Sequence, residues 1–190
     1  MCALQFEVYV STQSASSAAG WNYFRFKSAS CPWTTGMSDM DYAIDRGSMT
    51  CFRVVTSHSK QWWSARDACT SSDDMLAVLE PVEKAKFIYE FMNTNYVNHR
   101  KLNHFFYIGS KRPQLICTPP CGWSSSDPDY TWLNGQPVNY TATASYWHAN
   151  KPDNWNAETV LSIRSFFGFL WDNITPDTAQ YYICERPLIY

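Results

Sequence analysis

The sequence predicts an α+β domain closed by disulfide bonds. Three observations predict it: amphipathic helical spacing in the first half, short apolar strand-like runs in the second, and 7 cysteines in 190 residues. Helices early and strands late argue for α+β. A chain of this length buries roughly 70% of its unfolded surface and can form a core without cross-links. The cysteines point instead to an oxidising compartment.

The elements follow in order. Residues 1–10 alternate Leu4, Phe6, Val8 and Val10 and read as a strand, and the Ser/Ala-rich residues 11–20 read as a linker. We divide the chain into an amino-terminal extension, 1–30, and one domain, 31–190. Cys31-Pro32-Trp33 and the Gly/Ser/Asp-containing stretch up to Cys51 read as a disulfide-closed hairpin that opens the domain. From Gln61 the period becomes helical, with Trp62, Ala65 and Cys69 on one face. Residues 75–79 form a short apolar strand. Pro81 opens a second helix, where a first-turn proline is tolerated. Its buried stripe is Val82, Ala85, Ile88 and Phe91/Met92, which leaves Glu83, Lys84, Lys86 and Glu90 for solvent. Residues 105–109 are a strand ending at Gly109. Residues 110–150, rich in Pro, Asn and Ser, are too long for a plain connection, and loops of that length are usually functional or cross-linked. Within them Cys117-Thr118-Pro119-Pro120-Cys121 reads as a local clip across a proline turn. Residues 160–163, 167–171 and 181–184 close the domain as antiparallel strands.

Composition narrows the function. Charged residues are 17% of the chain, against about 25% in average globular proteins, and aromatics also reach 17%. The net charge is −2, from 15 basic and 17 acidic residues without a long run of either sign, which argues against a nucleic-acid partner. No Gly-x-Ser-x-Gly elbow, His-Glu-x-x-His pair or phosphate-cradling glycine loop is present, so we expect a binding protein and not an enzyme. Two glycosylation sequons begin at Asn139 and Asn173, which fits an extracellular or secreted location. No basic segment followed by an apolar block opens the sequence, so export uses another route or the chain is a fragment. Apolar runs such as 166–171 fall far below the ~18 residues of a membrane span.

Several motifs recur in a characteristic order: Trp62-x-x-Ala65-x-x-x-Cys69, Tyr107-Ile108-Gly109, Trp132-Leu133-Asn134-Gly135, the proline loop at Pro152, Trp171, and Ile183-Cys184-Glu185. Over about 51–186 this order resembles the C-type lectin-like domain, and Cys31 corresponds to the amino-terminal hairpin of the family's long form. The resemblance implies two helices flanking small antiparallel sheets, with a long loop carrying the binding face. It implies a bridge from Cys69 to Cys184, alongside the Cys31–Cys51 and Cys117–Cys121 pairs, and leaves Cys2 free or intermolecular, a route to oligomers. A second internal bridge of the family falls near Val160 and Pro176, where no cysteine stands.

The resemblance also implies where calcium and sugar would sit. Family members that use calcium draw oxygens from both sides of a loop proline, from a glutamate shortly after it, and from an Asn-Asp pair after the tryptophan. This chain offers Asp153, Glu158, Asp172 and Asn173, with Trp155 placed to stack on a sugar. It departs from the pattern at Lys151, which stands where Glu or Gln is usual. An ammonium donates and cannot ligate a metal. The Asn-Asp order is reversed to Asp172-Asn173, Glu158 follows Trp155 closely, and a glycan on Asn173 would block the same pocket. Two readings stay open. In one, a reduced calcium site survives on Asp153, Glu158 and Asp172, and Asp153 favours galactose-type sugars. In the other, Lys151 is a built-in cation pairing with Glu158 or Asp172, and the domain binds a protein or a glycan without calcium, or has a structural role alone.

Overall fold

The structure, a computed structural model, describes residues 40–112, 130–153 and 157–188. The expected strand at 1–10, the linker at 11–20, Cys2, Cys31, the Cys117–Cys121 clip and Trp155 lie outside the described residues. Strands are β1 (Met40–Asp45), β2 (Thr50–Lys60), β3 (Met75–Leu76), β4 (Phe105–Lys111), β5 (Thr131–Trp132), β6 (Val160–Arg164), β7 (Leu170–Ile174) and β8 (Gln180–Pro187). Helices are α1 (Trp62–Thr70), α2 (Val82–Asn95) and the short α3 (Tyr140–Thr143). The fold class is α+β, as the helical and strand-like runs predicted.

The strands form one network in the order β1-β2-β8-β4-β6-β7, with β3 on β8 and β5 on β4. Pairing is antiparallel except between β4 and β8, so the sheet is mixed. Period-two alternation sorts side chains onto its two faces. Phe106, Ile108 and Ile183 join the α2 side with Ile88 and Met92, while Tyr107, Tyr182 and Cys184 join the α1 side with Trp62, Ala65 and Cys69. Trp132 and Trp171 are buried and meet edge to face at 5.7 Å, a favourable aromatic geometry.

Cys69 is bonded to Cys184, with Cα atoms 5.6 Å apart and a sequence separation of 115. In the chain-entropy model, closing a loop of that order contributes about 4.7 kcal/mol, by a mechanism that is disputed. Cys51 is also disulfide-bonded. Where the family's second bridge would lie, Val160 instead faces Ile174 across β6 and β7, both buried. Gly109 marks a close approach of two chain segments: a Cβ there would lie 2.3 Å from the Leu76 carbonyl oxygen. Only hydrogen fits, and Gly109 N donates to Ala77 O at 2.8 Å.

The strand expected at 75–79 is confined to Met75–Leu76, and the one expected to end at Gly109 runs on to Lys111. Two further expectations need correction. Lys84, placed on the solvent face of α2, is 7% exposed, and its ammonium lies 2.7 Å from Glu185 Oε2 in the core. Helical period put it beside Ala85, and a partner a hundred residues away drew it inward. The strand expected at 167–171 begins at Leu170, because Ser165–Phe167 make a 3-10 turn. Gly168 and Phe169 then turn the backbone through left-handed φ of 69° and 64°. Asp172 and Asn173 are consequently inside β7 and do not follow it.

Candidate functional site

The hairpin of β6 and β7 sets the floor of the site. Its register places Leu161 opposite Asn173 and Ser162 opposite Asp172. Asp172, Ser162 and Arg164 therefore share one face of the hairpin. Above it runs the 147–153 loop, anchored where His148 N donates to Trp171 O at 3.0 Å and Trp147 bridges Trp171. Asn150 has φ of 64°, and the Lys151–Pro152 peptide just before Asp153 is cis.

Asn173 fastens that loop to the strand. Its Oδ1 accepts from Asp153 N at 2.9 Å, and its Nδ2 donates to Asp153 O and, at 3.3 Å, to Glu158 O. Tyr130 donates its hydroxyl to the same Glu158 carbonyl at 2.5 Å, and burial pushes that phenol well above its ordinary value. Asn173 is 0% exposed with its amide nitrogen committed to two carbonyls, so the folded domain has no room for a glycan there. Asn139 differs: it is exposed at the start of α3, where its Oδ1 accepts from Ala142 N.

Asp153, Glu158 and Asp172 converge, offering one oxygen each within 4.8 Å of one another, a set of the kind that can hold a cation. The cation among them is Lys151. Its Nζ lies 2.5 Å from Asp153 Oδ1, 2.8 Å from Asp172 Oδ1 and 3.6 Å from Glu158 Oε2, with the side chain 14% exposed. The approach to Asp172 Oδ1 is an ion pair outside hydrogen-bonding angles, for that oxygen is buried without a hydrogen bond. Asp172 Oδ2 is held by Arg164 at 3.0 Å. Arg164 was not anticipated from the sequence. The signal was its alternation with Ser162 in the strand before Trp171, which becomes informative once the hairpin register is known.

The charges adjust to one another. Burial works against the Lys151 ammonium, but its hydrogen bond with Asp153 and the negative charges of Asp172 and Glu158 outweigh it and hold its pKa above the ordinary value. Asp153 is raised by burial and lowered more by Lys151, so it stays ionised below the usual carboxylate range. Glu158 moves the other way: burial and a hydrogen bond shared with Asp153 push it above that range. Its Oε2 is buried without a hydrogen bond.

Calcium requires six to eight oxygen ligands at about 2.3–2.6 Å. Here Lys151 stands among the three carboxylates, Arg164 holds one oxygen of Asp172, and Asn173 Oδ1 is spent on a backbone N–H. With Lys151 in this place the residues do not fit a calcium ion.

With sheet, disulfide and loop cluster in view, the chain is a C-type lectin-like domain in fold. Among solved structures, the C-type lectin TC14 of the tunicate Polyandrocarpa misakiensis matches with TM-score 0.53 and 18% identity, over 73% of this chain and 99% of that one. The mouse scavenger receptor C-type lectin carbohydrate-recognition domain matches with TM-score 0.57 and 18% identity, over 84% and 98%. The C-type lectin domain of murine dendritic cell inhibitory receptor 2, solved in complex with an N-glycan, matches with TM-score 0.57 and 19% identity, over 83% and 99%. No family model matches the sequence, and no curated protein does either.

Proposed function

We propose that this chain is an extracellular recognition module that binds a glycan or a glycoprotein without calcium, with Lys151 as the fixed cation of its binding loop. The observation that carries the reading is the Lys151 ammonium within 3.6 Å of Asp153, Asp172 and Glu158. A loop whose carboxylates are neutralised from within keeps its shape in the absence of metal. The glycan held by the murine neighbour supports a sugar-bearing ligand. The Cys69–Cys184 bridge fits an oxidising, extracellular setting, and the exposed Asn139 sequon is the place we assign a glycan of the chain's own. No helix among the described residues is long and apolar enough to cross a membrane.

Binding is favoured over catalysis because all three carboxylates lie within ion-pair reach of the Lys151 ammonium, which lowers the basicity a general base would need. The second reading keeps calcium on Asp153, Glu158 and Asp172, and the convergence of these three is what favours it. Thermal melting with millimolar calcium and with EDTA separates the two, followed by glycan-array binding in both buffers. A melting temperature and a glycan profile indifferent to calcium are expected. Stabilisation by several degrees in calcium, or glycan binding abolished by EDTA, would overturn the first reading.

A further inference from the structure

A second surface lies beside the loop, where two turns are locked together. One is the 3-10 turn Val97–Lys101 with Leu102 and Asn103 after it, and the other is Ser165–Phe167 with Arg164 before it. His104 N donates to Ser165 Oγ and Ser165 N to His104 O, both at 2.8 Å, and Arg164 Nε donates to Asn103 Oδ1 at 2.8 Å. The Arg164 guanidinium also lies over Phe105 at 4.6 Å and over Phe167 at 4.1 Å, so the joint is stiffened by cation–π contact.

This joint displays apolar groups to water. Among the described residues the exposed large apolar side chains are Ile44, Met75, Val97, Leu102 and Phe166, and the last three stand on these two turns. Phe166 is 62% exposed and Leu102 58%. Clustered exposed apolar groups mark interaction sites more often than single ones do. The same turns carry Arg100 and Lys101, both exposed, and no Asp or Glu occurs anywhere from Phe91 to Arg112. Asp172, which Arg164 holds, is 1% exposed and already matched by cations. The face is thus apolar and positive, and its complement is apolar and negative.

We propose that these two turns form a docking surface for a protein segment that carries carboxylates beside large apolar side chains. Arg100 and Lys101 pair with the carboxylates while Phe166 and Leu102 pack against the apolar groups. The hydrogen bonds between the turns hold the surface in shape before the partner arrives, which lowers the ordering cost of binding. A lipid surface is the weaker fit. Arg164 is fixed between aromatic rings, and Arg100 and Lys101 alone fall short of the roughly four to eight basic residues of a headgroup-binding cluster.

The test titrates the full chain with three probes. These are a labelled eight-residue peptide in which glutamates flank one Leu and one Phe, the same peptide with lysines for glutamates, and phosphatidylcholine vesicles containing phosphatidylserine. Binding of the acidic peptide is expected to exceed that of the lysine peptide by about tenfold or more. Phe166→Ser, Leu102→Ser and Lys101→Glu, on two separate turns and each at an exposed position, are expected to weaken it by about five- to tenfold with melting temperature kept. Equal binding of the two peptides, affinity indifferent to all three substitutions, or tighter association with the vesicles would overturn the proposal.

Discussion

Two clusters of ionic groups in this domain are built alike and behave differently. In the core, Asp74 is held between Arg53 at 2.8 Å and Arg186 at 2.5 Å, with its side chain fully buried. At the loop, Lys151 and Arg164 face Asp153, Glu158 and Asp172. The core cluster has more cations than carboxylates, rests on β2, β8 and the turn into β3, and lies beside the Cys69–Cys184 bridge, for Arg53 also approaches Cys184 Sγ at 3.5 Å. The loop cluster has one carboxylate more than it has cations, and burial together with a hydrogen bond shared with Asp153 makes Glu158 hold its proton more tightly. Shared between two arginines inside the sheet, the Asp74 carboxylate serves architecture. Surplus charge at the edge of a loop leaves a group able to change state.

Breaking the core cluster is expected to have the largest effect. Asp74→Ala removes the buried carboxylate that both Arg53 and Arg186 meet and is expected to cost about 3–5 kcal/mol, read by denaturant unfolding. A loss under 1 kcal/mol would show that water reaches these arginines. Next comes Lys151→Gln, which leaves three converging carboxylates without their ammonium. Because the side chain is partly open to solvent, the expected loss is smaller, about 1–2 kcal/mol, and calcium is expected to restore it by entering the space vacated. If calcium leaves the melting temperature of this variant unmoved, Lys151 is not what keeps the metal out.

A third effect, moderate in size, comes from acid. His99 and His104 approach through their Nδ1 atoms at 3.0 Å, packed against Phe106 and Tyr181. Burial and the charge of His99 hold the His104 imidazole below its ordinary value. A depressed pKa favours the neutral ring in the fold, so its contribution is present above the unfolded value of about 6.5 and is lost as pH falls through it. Unfolding followed between pH 7.5 and 5 is expected to show this decline, and His104→Gln to flatten it. An unchanged slope would place the proton elsewhere. The smallest effect is expected from Glu158→Gln, which copies the protonated carboxyl and removes the surplus charge. Stability at pH 7 should hold or rise slightly, by roughly 0.5 kcal/mol, and a clear loss would mean that the cluster needs the ionised form.

Much of this was legible in the sequence because it is local. Trp62, Ala65 and Cys69 share a face by helical spacing alone, and Phe106, Tyr107 and Ile108 alternate between faces by strand spacing. The carboxylates of the site were legible only through the resemblance, which set Asp153 and Asp172 near each other although they stand far apart in sequence. Arg164, the burial of Lys84 and the His99–His104 pair were not legible. Each depends on a partner brought close by sheet register or by the packing of two turns, and neither is encoded in the period of a single segment. Asn173 shows the limit from the other side: its sequon was legible, and its burial under the loop was not.

The inverted order Asp172-Asn173 acquires a meaning from the bonds Asn173 makes. A carboxamide can give and receive at once, and here it does both toward the main chain of Asp153, as a neighbouring peptide unit would. The loop is thereby zipped to β7 as though the sheet had gained one more rung. A carboxylate at 173 could only receive, and would set an oxygen in place of Nδ2 against the carbonyls of Asp153 and Glu158. The transposed dipeptide is therefore the grammar of a loop that latches itself, where a ligand-set loop would await an ion to close it.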